Sequence, residues 1–94
     1  MTTEKYKLLK EEISKDGFLL KQIKRKKNKA IYEQTRDGRI FSYEVIVISK
    51  HEGYNIAGNF IEPSEMYPST AQWGVKGFTF TNIEDAEKKY KTLK

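Results

Sequence analysis

Cysteine is absent from the 94 residues. That excludes disulfides, thiolate metal sites and a cysteine nucleophile. Histidine is almost absent: His51 stands alone, and one imidazole with no cysteine or second histidine makes a poor metal site. No metal and no cofactor is expected. Long apolar runs are missing too. The longest, Val45-Ile46-Val47-Ile48, is the size of a strand and far below a membrane span. Thr2 to Tyr6 is polar and mixed in charge, unlike a leader segment. The expectation is a soluble, cytoplasmic protein with no membrane contact. The glycines at 53, 58, 74 and 77 do not form a phosphate-cradling motif. Ser42, Ser49, Ser64 and Ser69 have no base at a telling spacing. Glu62 and Glu65 flank Pro63-Ser64 and read as two solvated loop charges rather than an acid–base pair. An enzyme is not expected, nor is a small-molecule substrate.

What is present is aromatic and basic. Six Tyr, five Phe and one Trp supply enough large apolar surface for a folded domain, and the length fits a single domain over residues 1–94. The formal charge of +5 is uneven. Residues 1–30 hold ten Lys/Arg against four Asp/Glu, residues 31–70 three against six, and residues 71–94 five against three. A front-loaded positive charge suits an acidic partner surface, but the preferred reading is a solvated lysine-rich face.

Along the chain, Thr2 or Thr3 can cap a helix. Tyr6, Leu9 and Ile13 then recur at helical spacing, and Asp16-Gly17 ends the pattern. This predicts a helix over 4–15. Strands follow at 18–27, 30–36 and 39–49. The last two are joined by Asp37-Gly38, the dipeptide of a type I′ hairpin turn. A two-residue turn there pairs Arg36 with Arg39, Gln34 with Phe41 and Tyr32 with Tyr43. Ala30, Tyr32, Phe41, Tyr43, Val45 and Val47 would then form the core face. Ile31, Ile46 and Ile48 would lie on the other face, covered at its far end by the later loop or by a partner. Residues 50–76 carry Gly53, Gly58, Pro63, Pro68 and Gly74 and read as an irregular arm with short strand pieces near 54–56 and 59–61. Phe78-Thr79-Phe80-Thr81 alternates as a strand over 77–81. Asn82 caps a closing helix over 83–93, with Asp85 at its third position and Ile83, Ala86, Tyr90 and Leu93 as its apolar stripe. The expected fold class is α+β: an antiparallel sheet of about four strands, with an N-terminal and a C-terminal helix packed on one face.

From Ile40 onward the chain resembles short uncharacterised proteins of tailed phages and mobile elements of low-GC bacteria, particularly Bacteroidetes phages. The residues that carry the likeness are Tyr43-Glu44-Val45, Tyr67-Pro68-Ser69, Trp73-Gly74, Phe78-Thr79-Phe80 and the short charged closing helix. The resemblance covers about half the chain. It implies a small α+β fold, a phage or mobile-element origin and, with it, a host-cell cytoplasmic location. It brings no catalytic or binding residues.

Two surfaces are candidates for a non-catalytic accessory role. Lys21, Lys24, Arg25, Lys26, Lys27 and Lys29 place six cations in nine residues with no acid among them. On a β-ribbon they could track a phosphate backbone, or they could guard an edge strand against aggregation. Tyr54, Phe60, Tyr67 and Trp73 lie among Gly and Pro in the 50–74 arm. They could anchor a protein partner, a host factor or a virion component. They could also fold back on the second sheet face, with Trp73 and Phe60 over Ile46 and Ile48.

Overall fold

Two Asp-Gly pairs organise the first half of the chain. In the computed structural model, which describes residues 6–93, Asp16-Gly17 and Asp37-Gly38 take positive φ at both positions, 51° and 83° in the first pair and 53° and 78° in the second. That is the backbone of a type I′ turn, which matches the twist of paired strands. The first turn joins β1 (Glu12–Lys15) to β2 (Phe18–Lys26), and the second joins β3 (Lys29–Arg36) to β4 (Arg39–Val47). An arm follows. In it β5 (Ser49–His51) pairs with β8 (Ser64–Met66), and β6 (Tyr54–Ile56) pairs with β7 (Asn59–Ile61) as a hairpin tip. After a single 3-10 turn at Thr70–Gln72, β9 (Gly77–Phe80) returns along β4, and α1 (Ile83–Thr92) closes the chain. The main sheet is antiparallel throughout, in the order β1-β2-β3-β4-β9.

The two-helix α+β arrangement is therefore corrected. Among the described residues the fold is mostly antiparallel sheet with one C-terminal helix, and the main sheet has five strands rather than four. Of the helix expected over 4–15, positions 4 and 5 lie outside the described residues, and the rest is not helical. The reason is where its backbone groups are bonded. The Lys7 N–H donates to Pro63 O, and Lys7 O accepts from Glu65 N, each at 2.9 Å. The Leu9 N–H donates to the Glu65 carboxylate at 2.8 Å. Lys10 O accepts from the Tyr32 hydroxyl at 2.5 Å. Leu9 and Ile13 still reach the core, but from an extended segment laid across a sheet face. Asp16-Gly17 turns a hairpin instead of ending a helix. The expected strand over 39–49 also breaks at Ile48 into β4 and β5, and the arm expected to be irregular over 50–76 is built from short pairs. The strands at 18–27, 30–36 and 77–81 and the helix at 83–93 are found at 18–26, 29–36, 77–80 and 83–92.

The register departs from expectation at one residue. Arg36 opposes Arg39 and Thr35 opposes Ile40, but Gln34 then opposes Ser42 and Tyr32 opposes Glu44. Phe41 is the extra residue of a β-bulge. Because side chains alternate with period two, one inserted residue exchanges the faces of everything beyond it. Phe41 is 63% exposed, resting on Phe18 with ring centroids 5.0 Å apart. The expected single core face thus splits into two. Ile31, Tyr43 and Val45 meet Phe78, Phe80, Ile83, Ala86 and Tyr90 under the helix. Leu20, Ala30, Tyr32, Ile46 and Ile48 form the opposite face, covered by Leu9, Ile13, Tyr67 and Trp73. Tyr32 is fully buried there, and its hydroxyl is satisfied: it donates to Lys10 O and accepts from Gln22 Nε2 at 3.0 Å. The helix start is as the sequence predicts. Asn82 Oδ1 accepts from the Asp85 N–H at 2.8 Å, and Asn82 Nδ2 donates to the Asp85 carboxylate at 3.0 Å.

Candidate nucleic-acid interface

A second bulge decides what the basic stretch does. Between Gln22 and Lys24 the pairing with β3 skips Ile23, and the cations beyond it are sorted to opposite faces. Lys24 and Lys29 lie on the helix side. The Lys24 ammonium sits 2.8 Å from the Glu87 carboxylate and 5.2 Å from the centre of the Tyr90 ring. The Lys29 ammonium lies 4.6 Å over the same ring and donates to Tyr90 O and Leu93 O at 2.9 and 3.0 Å. It thereby adds a cationic donor at the negative end of the helix, where Tyr90 O also accepts from the N–H of the C-cap residue Leu93. Its neighbour Lys24 holds the Glu87 carboxyl below its usual range, chiefly by that hydrogen bond, and Glu87 in turn raises Lys24. Both groups are exposed, so solvent screens most of the effect.

Arg25 points the other way. Its guanidinium grips Glu65 with two parallel bonds, Nη1 to Oε1 at 2.7 Å and Nη2 to Oε2 at 2.6 Å, and its Nε donates to Lys27 O at 3.0 Å. Glu65 is not a solvated loop charge. Its side chain is 4% exposed, and the Arg25 hydrogen bonds, with the Leu9 N–H, hold its carboxyl below the usual range despite burial. Lys21 stands between Glu12 and Glu33 in the register. Of the six cations read as one patch, Lys26 and Lys27 are exposed at the β2–β3 turn with no acid opposite them, since Lys26 pairs with Lys29.

The fold also adds cations from elsewhere in the chain. Because α1 runs antiparallel to β9 and ends over Lys29, its last turns bring Lys88 and Lys91, both exposed, to the same end of the sheet as Lys24, Lys26, Lys27 and Lys29. Lys89 lies beside them, its ammonium 4.1 Å over the Phe78 ring. In the sequence Lys88 and Lys91 stand near the negative end of the closing helix, far from the β2–β3 turn. The signal that they join the β2–β3 turn is the length of the helix, which carries its end back along the sheet.

The arm residues separate in the same way. Tyr67 and Trp73 are packed on the helix-free face, with Tyr67 edge-on to Tyr32 at 5.5 Å and stacked on Trp73 at 6.2 Å. Trp73 covers the Ile46–Ile48 cluster, whereas Phe60 does not. Phe60 lies at the hairpin tip, exposed, with its ring against Gly53, where an added Cβ would come within 2.6 Å of it. Tyr54 is exposed beside it.

His51 and Ser64 are opposed residues of β5 and β8. The Ser64 hydroxyl lies 2.7 Å from His51 Nε2, and His51 Nδ1 lies 2.9 Å from Glu52 O. A carbonyl beside Nδ1 assigns the ring proton there and leaves Nε2 to accept from Ser64. Direct opposition on a β rung already imposes this proximity, and the contact pins the β5–β8 register as cross-strand pairs do. Among the described residues no group of three or more His, Cys, Asp or Glu could hold a metal ion, and no helix is long and apolar enough to cross a membrane. No protein-family model, no curated protein and no solved structure matches the chain.

Proposed function

We propose that the protein binds nucleic acid through the lysine pole at the β2–β3 turn and the end of α1. One observation carries the reading: chain-distant lysines, 24, 26, 27 and 29 with 88 and 91, converge on one end of the molecule, where among the described residues Glu87 is the carboxylate that meets them. A cluster of ammonium groups with so little acid among them attracts a polyanion. The exposed groups of the pole are ammonium-bearing side chains, so the contact is to phosphates and tolerant of base sequence. The role is non-catalytic, and the phage or mobile-element setting rests on the resemblance of the C-terminal half.

Three to five phosphate contacts would make the logarithm of the binding constant for duplex DNA fall with the logarithm of salt at a slope of roughly −3 to −5. The test measures that slope by fluorescence anisotropy on a short labelled duplex, for the protein and for the triple variant Lys26→Glu, Lys27→Glu, Lys91→Glu. The variant should lose most of the slope and of the affinity. A binding constant that ignores salt, or a variant that binds as tightly as the parent, rejects the reading.

A second reading has its own observation. Tyr54, Ile56 and Phe60 are all exposed on the β6–β7 tip, and aromatic residues so placed commonly anchor protein contacts. If the tip is the interface, Tyr54→Ser with Phe60→Ser abolishes partner binding and leaves the salt-dependent DNA affinity untouched.

A further inference from the structure

Among the described residues, one buried carboxylate is ion-paired and another is not. Glu65 holds Arg25. Glu44, on the helix-free side of β4, is 8% exposed and has only a hydroxyl. Thr79 Oγ1 donates to Glu44 Oε2 at 2.6 Å and itself accepts from Trp73 Nε1 at 2.9 Å. The other oxygen, Oε1, receives no donor from the described residues. Burial pushes the Glu44 carboxyl above its usual range, outweighing the Thr79 hydrogen bond and the charge of Lys15, which pull it down. A buried carboxylate without an ion-pair partner is costly, and one that lines a cleft is a candidate ligand site.

Glu44 lines a cleft of about 310 Å³ between the β1–β2 turn and the 67–73 segment, walled by Phe18, Leu20, Tyr67 and Trp73 and joined by Gln34. Apolar walls with a few convergent polar groups are the usual construction of a small-ligand site. Tyr67 and Trp73, stacked on each other, supply apolar walls, and Lys15 and Asp16 complete the lining. The carboxylate favours a planar cation with two parallel N–H donors, as Arg25 already shows at Glu65. Each carboxylate oxygen accepts two hydrogen bonds, so Oε2 can keep Thr79 and still take a donor.

We propose that this cleft binds a guanidinium- or amidinium-bearing ligand, its planar head paired with Glu44 and flanked by Trp73 and Tyr67. The site lies on the sheet face opposite the helix and stands independently of the lysine pole. The same head group can come from a free guanidino compound or from an arginine side chain of another protein. A quaternary ammonium has no donor for Oε1 and fits less well.

Trp73 is the only tryptophan and forms a wall of the cleft, so its emission reports occupancy. The titration uses benzamidine, agmatine and an acetylated Gly-Arg-Gly amide, with choline as the cation that lacks donors. Saturable binding with dissociation constants on the order of 0.1–1 mM is expected for so small a head group. Glu44→Gln keeps the acceptor for Thr79 and should weaken binding roughly thirtyfold or more, as loss of one member of a buried charge pair does. Binding of the free compounds marks a small-molecule ligand, and binding of the peptide alone marks a partner's arginine; both uphold the proposal. In the unaltered protein, the Glu44 side-chain carboxyl carbon should also shift in the NMR spectrum as benzamidine binds, which keeps the test open should the variant not fold. No saturable response up to about 10 mM, choline binding as well as benzamidine, a Glu44→Gln protein that binds like the parent, or a still Glu44 carboxyl signal would each overturn it.

Discussion

Removing Glu65 should be among the most damaging single changes a charged residue of this protein can suffer. Its carboxylate ties three segments together: the N-terminal stretch through the Leu9 N–H, β2 through Arg25, and its own strand β8. In Glu65→Ala two charge-assisted bonds to Arg25 vanish and the Leu9 N–H loses its acceptor. Breaking a fully buried ion pair costs about 3–5 kcal/mol. The Arg25 side chain is 22% exposed, so water offsets part of that, and about 2–4 kcal/mol is expected. The whole domain holds roughly 5–14 kcal/mol, and a loss of this size lowers the melting temperature by roughly 10–25 °C. The assay is thermal unfolding followed by far-ultraviolet circular dichroism and by Trp73 emission. The sign with pH follows from the carboxyl. Its folded value lies below the unfolded one, so its contribution is complete above the unfolded carboxylate range and is lost as pH falls through the folded value. The gap between parent and variant should therefore close in acid. The double change Arg25→Met, Glu65→Met should recover most of the loss, because a packed apolar pair replaces a buried ionic one at little cost. A Glu65→Ala protein within about 0.5 kcal/mol of the parent at neutral pH would refute the clamp.

Other changes test other parts of the structure. Phe41→Ser should cost about 1 kcal/mol or less, the worth of its contact with Phe18, whereas a core phenylalanine at that position would cost about 3–5 kcal/mol; urea unfolding decides. Tyr90→Phe should be neutral or stabilising by up to about 1 kcal/mol, since its buried hydroxyl has no hydrogen-bond partner, and a loss in urea unfolding would show that the hydroxyl is engaged. Gly77→Ala should destabilise and shift Trp73 emission, because an added Cβ would come within 2.3 Å of the Trp73 ring. Glu44→Gln should be more stable than the parent at neutral pH. The folded carboxyl sits above its unfolded value, so the parent loses stability as pH rises from the unfolded value through the folded one, and the advantage should vanish below the unfolded range in paired melting curves.

The parts of the fold that were legible from sequence are those written in local chemistry. Asp37-Gly38 announced its hairpin, Asn82 and Asp85 announced the start of α1, and the alternation at 77–81 announced β9. At the N-terminus one signal has two meanings. Asp16-Gly17 is the same dipeptide as Asp37-Gly38, yet the spacing of Tyr6, Leu9 and Ile13 made it look like a helix stop. That spacing is also met by an extended segment that lays Leu9 and Ile13 on a sheet face, and only the distant acceptors Pro63 and Glu65 decide between them. The bulge at Phe41 has no dipeptide signature, so the sequence places Tyr32 and Tyr43 on one face when they occupy two. At the lysine pole, the cations at 24–29 were visible, but their partners Glu65 and Glu87 lie 40 and 63 residues away. The cleft at Glu44 was invisible, because Phe18, Glu44, Trp73 and Thr79 come together only through the full sheet order.

The lysine pole is tested most directly by a nitrogen-15 amide spectrum recorded while a short DNA duplex is added at low salt. Shifts confined to the amides of Lys26, Lys27, Asn28 and the last turn of α1, and reversed by added salt, are predicted. Shifts centred on 54–61, or none at all, would contradict a phosphate-binding pole.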